Sequence, residues 1–108
     1  MSLKMLENKN FEFIKSEVKN NKVVLFMKGT KETPMCGFSA KVVAILNKLD
    51  VEFRDINVLA DPELREDLKK FSDWPTFPQL YINGELVGGC DIVTELHNNG
   101  ALEKILKR

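Results

Sequence analysis

The sequence predicts an α/β fold in which a mixed four-stranded β-sheet is flanked by helices on both faces. Segments with helical and with strand-like apolar patterns alternate along much of the chain, and two short strands joined by a tight turn follow them. A strand–helix–strand unit gives parallel strands with a right-handed crossover, whereas a tight hairpin gives antiparallel strands. The four strands are therefore expected to form a mixed sheet.

The chain begins with a predicted helix that is followed by a buried strand. Phe11, Ile14 and Val18 recur at helical spacing, and a pair of asparagines ends this helix. Val23–Met27 is a continuous apolar run, which is typical of a strand buried on both faces. The segment 29–35 contains both glycine and proline, so we expect it to form a loop.

A helix, a strand and another helix follow this loop. The segment 40–49 predicts a helix, and the segment 51–56 alternates between apolar and polar residues as a half-buried strand does. Asp61 is a favourable N-cap, and Pro62 suits the first position of a helix that we expect to run to about Phe71. The buried stripe of the second helix is expected to consist of Val42, Val43, Leu46 and Leu49.

The last part of the chain predicts a hairpin and two helices. Gln79–Ile82 and 85–87 are strand-like, and the Asn83-Gly84 pair between them is a favoured two-residue hairpin turn. After two glycines, Asp91 is expected to cap a helix, and 101–107 is expected to form a final short helix. The complete predicted order of elements is αβαβαββαα.

Composition and charge limit the classes of protein that this sequence can encode. The chain is one predicted domain, 1–108, with 44% hydrophobic residues, and we expect residues 1–9 to be a flexible N-terminal segment. Its 16 basic and 16 acidic residues cancel, which argues against general nucleic-acid binding because such proteins carry a basic excess. No apolar run approaches the ~20 residues of a membrane span, so we expect no membrane insertion.

Cysteine usage and the first residues bear on the compartment. Two cysteines in a charged, ordinary domain do not make a secreted disulfide scaffold, so a reducing compartment is expected. The first ten residues lack the apolar core of a secretory signal and the arginine-rich character of a transit peptide. We therefore expect a cytoplasmic bacterial protein, or an organelle matrix protein whose transit peptide has been removed.

Cys36 carries the strongest chemical signal in the sequence. It lies near the start of the second predicted helix, where unpaired amides and the helix dipole favour a thiolate over a thiol. Ser39 occupies the position of the second cysteine of a C-x-x-C redox motif, so this site cannot close an internal disulfide. Cys36 must then react with, or share a ligand with, a molecule from outside the chain. The alternative interpretation is an inert buried cysteine.

Four short motifs give the chain a resemblance to a known family. They are Lys28-Gly29-Thr30, Cys36-Gly37-Phe38-Ser39, Trp74-Pro75-Thr76-Phe77-Pro78-Gln79 and Gly88-Gly89-Cys90-Asp91. In this order and at this spacing, from about Phe11 to Leu106, the chain resembles a single-domain monothiol glutaredoxin of the thioredoxin fold. It departs from the pattern at Lys31, where many members have proline, and we expect this departure to loosen the loop before Cys36.

The resemblance implies a glutathione site around Cys36. It implies that Cys36 is the nucleophile or metal ligand, and that Lys28 lowers the pKa of this thiol or pairs with a ligand carboxylate. In this family Phe77 precedes a cis-proline, so its backbone N–H and C=O are expected to bind a peptide-like ligand. The glutathione-binding residues that we predict are Lys28, Arg65, Lys69, Thr76, Phe77, Pro78, Cys90 and Asp91.

Some residues of this set have simpler explanations as well. The free amides of Cys90 and Asp91 suit a ligand carboxylate, although Asp91 also serves as a helix cap. Arg65 and Lys69 lie one helical turn apart and can face a second carboxylate, but Lys69 can equally pair with a glutamate of its own helix. Cys90 is a candidate resolving thiol, yet a small buried side chain is the preferred interpretation. Trp74 is interpreted as a packing residue.

Two functions fit this site. A [2Fe–2S] cluster needs four ligands, so the resemblance implies a homodimer in which two Cys36 thiolates and two glutathiones hold a cluster for transfer in iron–sulfur cluster assembly. Without the cluster we expect a monomer. The alternative is a weak glutathione-dependent thiol–disulfide oxidoreductase, in which Cys36 attacks a glutathionyl sulfur and free glutathione resolves the product. The resemblance also implies BolA-like proteins and apo iron–sulfur proteins as partners.

Overall fold

A computed structural model describes residues 8–108 of the chain. Residues 1–7, which make up most of the expected N-terminal segment 1–9, lie outside the described residues. Asn8 is the N-cap of the first helix, because its side chain accepts hydrogen bonds from the N–H groups of Asn10 (2.8 Å) and Phe11 (3.1 Å). Lys9 is therefore already the first helical residue.

The elements follow the predicted order. The helices and strands are α1 (Lys9–Asn20), β1 (Val23–Met27), α2 (Gly37–Lys48), β2 (Arg54–Asn57), α3 (Pro62–Ser72), β3 (Gln79–Ile82), β4 (Glu85–Gly88), α4 (Cys90–Asn98) and α5 (Ala101–Leu106). The four strands form one sheet in the order β2-β1-β3-β4. β1 runs parallel to β2 and antiparallel to β3, and β3 runs antiparallel to β4. The predicted mixed sheet of the thioredoxin fold is confirmed.

Alternate side chains of β1 enter two separate cores, one on each face of the sheet. Leu25 belongs to the core that packs under α2, α4 and α5, together with Val42, Leu46 and Val93. Phe26 belongs to the other core, under α1 and α3. Because every residue of β1 is buried, the strand has no polar face, which explains the continuous apolar run in its sequence.

The hairpin turn has the predicted geometry. Asn83 (φ 52°) and Gly84 (φ 81°) both adopt left-handed backbone conformations, as the two central residues of a type I′ turn do. This turn matches the twist of the strands that it joins, β3 and β4. It therefore places Gly88, Gly89 and the start of α4 next to the segment that precedes β3.

The structure corrects the prediction for the second strand. β2 begins at Arg54 and not at Val51, because its pairing with β1 starts at Val24↔Arg54. Val51 instead donates its backbone N–H to the carbonyl of Leu46 (3.0 Å), which ties it to the end of α2. The segment 51–53 is thus a connection and not a strand.

The starts of two helices also differ from the prediction. α2 begins at Gly37, three residues before the predicted start, and Cys36 itself is the N-cap. α4 begins at Cys90 with Gly89 as its N-cap, so Asp91 is the second helical residue and does not cap the helix with its side chain. Among the described helices, none is long and apolar enough to span a bilayer.

Candidate thiolate site

Cys36 is half-buried at the N-terminus of α2, in extended backbone conformation. The pKa of its thiol is lowered, first by a hydrogen bond from the backbone N–H of Ser39. Partial burial opposes this effect, whereas the N–H of Phe38, the charge of Lys28 and the Ser39 hydroxyl also favour the thiolate. Amides at a helix start bind anions, so the sequence-based expectation of an activated thiolate at Cys36 agrees with this geometry.

Ser39 has a structural role that the sequence argument missed. Its side chain is fully buried, and its hydroxyl oxygen accepts a hydrogen bond from the backbone N–H of Lys28 (3.1 Å). This bond joins the end of β1 to the first turn of α2. Ser39 therefore holds Lys28 and Cys36 in a common framework, in addition to excluding an internal disulfide.

The two ends of the loop between β1 and Cys36 are joined by backbone hydrogen bonds. Met35 donates its N–H to the carbonyl of Lys28 (2.9 Å), and Thr30 and Thr33 exchange backbone hydrogen bonds of 3.2 and 3.1 Å. Gly29 has a φ of +92°, and a Cβ there would lie 2.5 Å from the carbonyl oxygen of Thr33. Only glycine fits at that position.

Lys31 does not loosen this loop, contrary to the expectation from the missing proline. Its backbone N–H donates to the carboxylate of Asp55 (2.8 Å), a bond that proline cannot make. Its ammonium donates to the carbonyl of Phe53 (3.2 Å) and lies 5.1 Å from the centre of the Phe53 ring. Gly29 is held in the same way, by the side chain of Asn57 (2.9 Å). The loop is thus fastened to the β2 edge of the sheet.

A groove of about 210 Å³ lies between α2, the segment before β3 and the start of α4. The peptide bond between Phe77 and Pro78 is cis, as the resemblance implies. The absence of a side chain at Gly89 lets the two walls approach, because a Cβ there would lie 3.2 Å from the carbonyl oxygen of Pro78. The residues that line the groove are Phe38, Trp74, Thr76, Phe77, Pro78, Gly89, Cys90, Asp91 and Ile92.

Buried polar side chains shape the wall of this groove. The side-chain amide of Gln79, which is fully buried, donates to the carbonyls of Trp74 (3.1 Å) and Thr76 (3.3 Å). The Tyr81 hydroxyl donates to Gln79 in turn (3.3 Å), and burial raises the pKa of Tyr81 to about 12. The backbone of Thr76 and Phe77 is therefore presented to the groove from a rigid support.

The predicted site residues fall into two groups. Thr76, Phe77, Pro78, Cys90 and Asp91 share the groove, whereas Cys36, Lys28, Arg65 and Lys69 are not among its lining residues. The Lys69 ammonium forms an ion pair with the carboxylate of Glu66 on the same helix, at 3.0 Å. Of the two expected partners, a ligand carboxylate or a glutamate of its own helix, the structure therefore shows the second.

Arg65 retains an unused donor. It lies half-buried on α3, and its Nε is buried with no hydrogen-bond partner within residues 8–108. This N–H group is able to donate to an incoming acceptor such as a carboxylate.

The thiol of Cys90 is buried at the start of α4. Its side chain is 8% exposed, and its sulfur lies 4.0 Å from the hydroxyl oxygen of Thr94. Both Cys36 and Cys90 are free thiols. The preferred interpretation of Cys90 as a small buried side chain agrees with this environment.

Trp74 lines the groove, which the sequence argument did not predict. Its indole nitrogen is buried, has no hydrogen-bond partner within residues 8–108, and would lie 3.6 Å from a Cβ at Gly89. The signal that was available is the position of Trp74 next to Pro75, two residues before Thr76, within a motif already assigned to the site. Trp74 is thus both a packing residue and part of the groove wall.

Comparisons with known proteins agree with this fold. The glutaredoxin family model matches residues 23–87. The probable monothiol glutaredoxin 2 of Rickettsia felis is 84% identical over 103 residues, which cover 95% of this chain and 99% of the relative. The solution structure of reduced poplar apo GrxS14 is 50% identical, covers 90% of this chain and 93% of its own, and has a TM-score of 0.78.

A more distant structure supports the fold alone. The crystal structure of a buckwheat glutaredoxin–glutathione complex is 24% identical, covers 99% of this chain and 94% of its own, and has a TM-score of 0.84. The fold, the single thiol of the Cys36 motif and these similarities lead to one conclusion. The chain belongs to the glutaredoxin family, in its monothiol class.

Proposed function

We propose that this monothiol glutaredoxin carries a [2Fe–2S] cluster as cargo for iron–sulfur cluster assembly, held between two copies of the chain and two glutathiones. The observation that carries the proposal is the single accessible thiolate at the start of α2. Cys36 is half-buried with a lowered pKa, while Cys90 is buried against Thr94. One chain therefore offers one of the four ligands that such a cluster needs.

The side chains that could bind iron favour a cluster site shared between molecules over one formed within a single chain. Across the part of the chain that the structure describes, no three His, Cys, Asp or Glu side chains lie close enough together to hold a metal ion. The remaining ligands must then come from outside, and a soft thiolate is the ligand type that iron–sulfur clusters prefer. A cluster held by so few protein ligands is suited to transfer.

Glutathione is the co-ligand that best matches the groove. It presents an extended peptide backbone, an ammonium and two carboxylates besides its thiol. The backbone of Phe77 suits the peptide, the amides of Cys90 and Asp91 at the start of α4 suit one carboxylate, and the Asp91 side chain suits the ammonium. A buckwheat glutaredoxin of the same fold was solved in complex with glutathione, so this fold is able to hold the tripeptide.

Three cations are available for the second carboxylate. Lys28 adjoins Cys36, Arg65 has a buried unpartnered Nε, and Lys69 is already paired with Glu66. Arg65 and Lys28 are therefore the stronger candidates, because binding through Lys69 requires its present ion pair to be exchanged.

The experiment is an anaerobic reconstitution with ferrous iron and sulfide, with and without glutathione. We expect visible cluster absorption only when glutathione is present, and none in Cys36→Ser. Cys90→Ser is the matched control and keeps the absorption, since the Cys90 thiol is buried. Cluster absorption in Cys36→Ser, or equal absorption without glutathione, contradicts the proposal.

The lowered pKa of Cys36 favours a second candidate function, glutathione-dependent disulfide exchange. The Cys36 thiolate attacks the glutathionyl sulfur of a mixed disulfide, and the target protein leaves as a thiolate. A second glutathione then attacks the Cys36–glutathione disulfide, which releases oxidised glutathione and restores the Cys36 thiolate. Reduction of a glutathionylated peptide by a preparation that forms no cluster favours this activity over cluster transfer.

The proposal extends to assembly and location. We expect a monomer in the absence of the cluster, with BolA-like proteins and apo iron–sulfur proteins as partners of the loaded form. The similarity to a Rickettsia protein supports a bacterial cytoplasmic location over an organelle matrix.

A further inference from the structure

The segment 74–78, which forms part of the groove wall before β3, has little hydrogen-bonded structure of its own. It belongs to no helix or strand, and across residues 8–108 no hydrogen bond joins its backbone to another backbone group. Within that same part of the chain, the hydrogen bonds to its backbone come from the side chains of Ser72 and Gln79. Two side chains therefore provide the hydrogen-bonded support of this wall.

Gln79 supports the segment from the interior of the sheet. Its side chain is fully buried, and its amide nitrogen donates to the carbonyls of Trp74 (3.1 Å) and Thr76 (3.3 Å). Its backbone belongs to β3 and lies opposite Phe26 of the central strand β1. Because a buried amide without partners costs free energy, Gln79 and the two carbonyls hold one another in place.

The backbone of Trp74 is held from both sides. The hydroxyl oxygen of Ser72, at the end of α3, accepts a hydrogen bond from the Trp74 N–H (3.2 Å), and this hydroxyl donates to the carbonyl of Leu68 (2.8 Å). Gln79 holds the Trp74 carbonyl. The start of the segment is thus joined to α3 and to β3 together.

Packing fixes the end of the segment but leaves the direction of one peptide group open. The Phe77 side chain is 7% exposed and belongs to the core under α1 and α3. A buried ring restrains the position of its own Cα, whereas the peptide group between Thr76 and Phe77 can still rotate. The hydrogen bond from Gln79 to the Thr76 carbonyl removes this freedom. Since the two ends of a planar trans peptide group point in opposite directions, the Phe77 N–H is directed away from Gln79.

We propose that Gln79 is a positioning residue, which fixes the Thr76 carbonyl so that the Phe77 N–H faces a peptide-like ligand in the groove. This inference rests on the proposed function, because glutathione supplies the peptide that the N–H meets. Gln79 is not among the lining residues of the groove, so it acts only through the peptide group that it holds.

The test compares two substitutions of Gln79 with two controls. Gln79→Met keeps the length of the side chain and removes both donated hydrogen bonds. Gln79→Asn is the milder variant, for use if Gln79→Met does not fold, and its shorter amide cannot reach both carbonyls. Tyr81→Phe removes the hydroxyl that donates to Gln79 but leaves the bonds from Gln79 to the segment. Val58→Ala shortens a fully buried side chain of the core that also contains Tyr81.

Two readouts separate the order of the segment from the affinity of the groove. The first is the NMR order parameter of the Thr76 and Phe77 amides in the ligand-free chain. The second is the Kd of S-methylglutathione, measured by isothermal titration calorimetry, because the thioether of this probe forms no disulfide. Urea denaturation gives the free energy of unfolding of each variant, so that affinities are compared at known stability.

We expect the order parameters of both amides to fall from about 0.85 towards about 0.6 in Gln79→Met, with a smaller fall in Gln79→Asn. The Kd of S-methylglutathione should rise about fivefold in Gln79→Met, the effect of losing one net hydrogen bond to the ligand, and about twofold in Gln79→Asn. Both controls should keep the wild-type order parameters and Kd, even where they lower the free energy of unfolding as much.

Unchanged order parameters in both Gln79 variants would show that the segment is held without Gln79. A lower order parameter with an unchanged Kd, or a Kd that rises equally in Val58→Ala, would show that Gln79 contributes to stability alone. A wild-type chain that binds no S-methylglutathione contradicts the proposed function and the ligand part of this proposal. The order parameters then still decide whether Gln79 holds the segment, so the two failures are distinguishable.

Discussion

At the scale of single residues, the thiolate of Cys36 depends more on backbone amides than on any charged side chain. The N–H of Ser39 is the strongest cause of the lowered pKa, and the charge of Lys28 ranks below the N–H of Phe38. A helix start provides these amides whatever its side chains are. The position of Cys36 before a helix was therefore sufficient to predict from sequence that its pKa is lowered.

Lys28→Met should raise the pKa of Cys36 without abolishing its activation. The pKa of this thiol is below its usual value in the folded protein, so alkylation accelerates as the pH rises through that lowered pKa. Removal of the Lys28 charge moves the midpoint of this profile to higher pH, while the amides still favour the thiolate. The pH dependence of iodoacetamide alkylation measures the midpoint. An unchanged midpoint would remove Lys28 from the electrostatic environment of Cys36.

Other residues of the site were less predictable. The buried hydrogen bond of Ser39 to Lys28 and the place of Trp74 in the groove wall depend on contacts between segments far apart in sequence. Local patterns carry no information on such contacts. Lys31 was misjudged for the same reason, because its partners Phe53 and Asp55 belong to another part of the chain.

At the scale of elements, the loop between β1 and Cys36 owes its shape to a glycine that no other residue can replace. Gly29 and Gly100 both have positive φ angles, of +92° and +81°. A Cβ at Gly29 meets Thr33 and Met35 atoms at 2.5 to 2.7 Å, whereas a Cβ at Gly100 meets nothing within 4 Å. Alanine substitutions at Gly29 and Gly100 therefore separate two costs. Both variants place a Cβ on a residue with positive φ, but only Gly29→Ala also creates a steric clash.

Gly100→Ala should lower the free energy of unfolding by about 1–2 kcal/mol, the cost of a left-handed backbone for a residue with a Cβ. Gly29→Ala should cost more than Gly100→Ala and should also disturb the reactivity of Cys36, because the loop must move to avoid the clash. Urea denaturation and alkylation rates measure the two effects. Equal losses of stability in both variants would contradict the steric argument.

The boundaries of elements show where sequence patterns stop being informative. The type I′ turn at Asn83-Gly84 was predictable because its residues tolerate left-handed conformations. The start of β2 was not, because the alternating pattern of 51–56 begins three residues before the pairing with β1 starts at Arg54. Pairing with a neighbouring strand, and not side-chain alternation, decides where a strand begins.

At the scale of the whole molecule, two cores share one central strand, and the site occupies one end of the sheet. The apolar pattern predicted that β1 is buried on both faces, but the division of the apolar residues into two separate cores is seen only in the structure. The groove could be located from sequence only through family motifs, because Phe38, the segment 74–78 and the start of α4 are separated along the chain.

Two phenylalanines are expected to contribute very differently to the stability of the fold. Phe26 is fully buried in one core, whereas Phe38 is 63% exposed at the groove. Phe26→Ala should lower the free energy of unfolding by about 3–5 kcal/mol, and Phe38→Ala should change it by less than about 0.5 kcal/mol. Chemical denaturation measures both values. A large loss in Phe38→Ala would mean that the groove is part of the core.

The most direct test of the proposed function is the composition of the reconstituted protein, measured by native mass spectrometry under anaerobic conditions. We predict one species with two chains, two glutathiones and one [2Fe–2S] cluster, which separates into monomers when the iron is chelated. A cluster bound to a single chain, or a cluster-bearing dimer without glutathione, would contradict the assignment of Cys36 and glutathione as shared ligands.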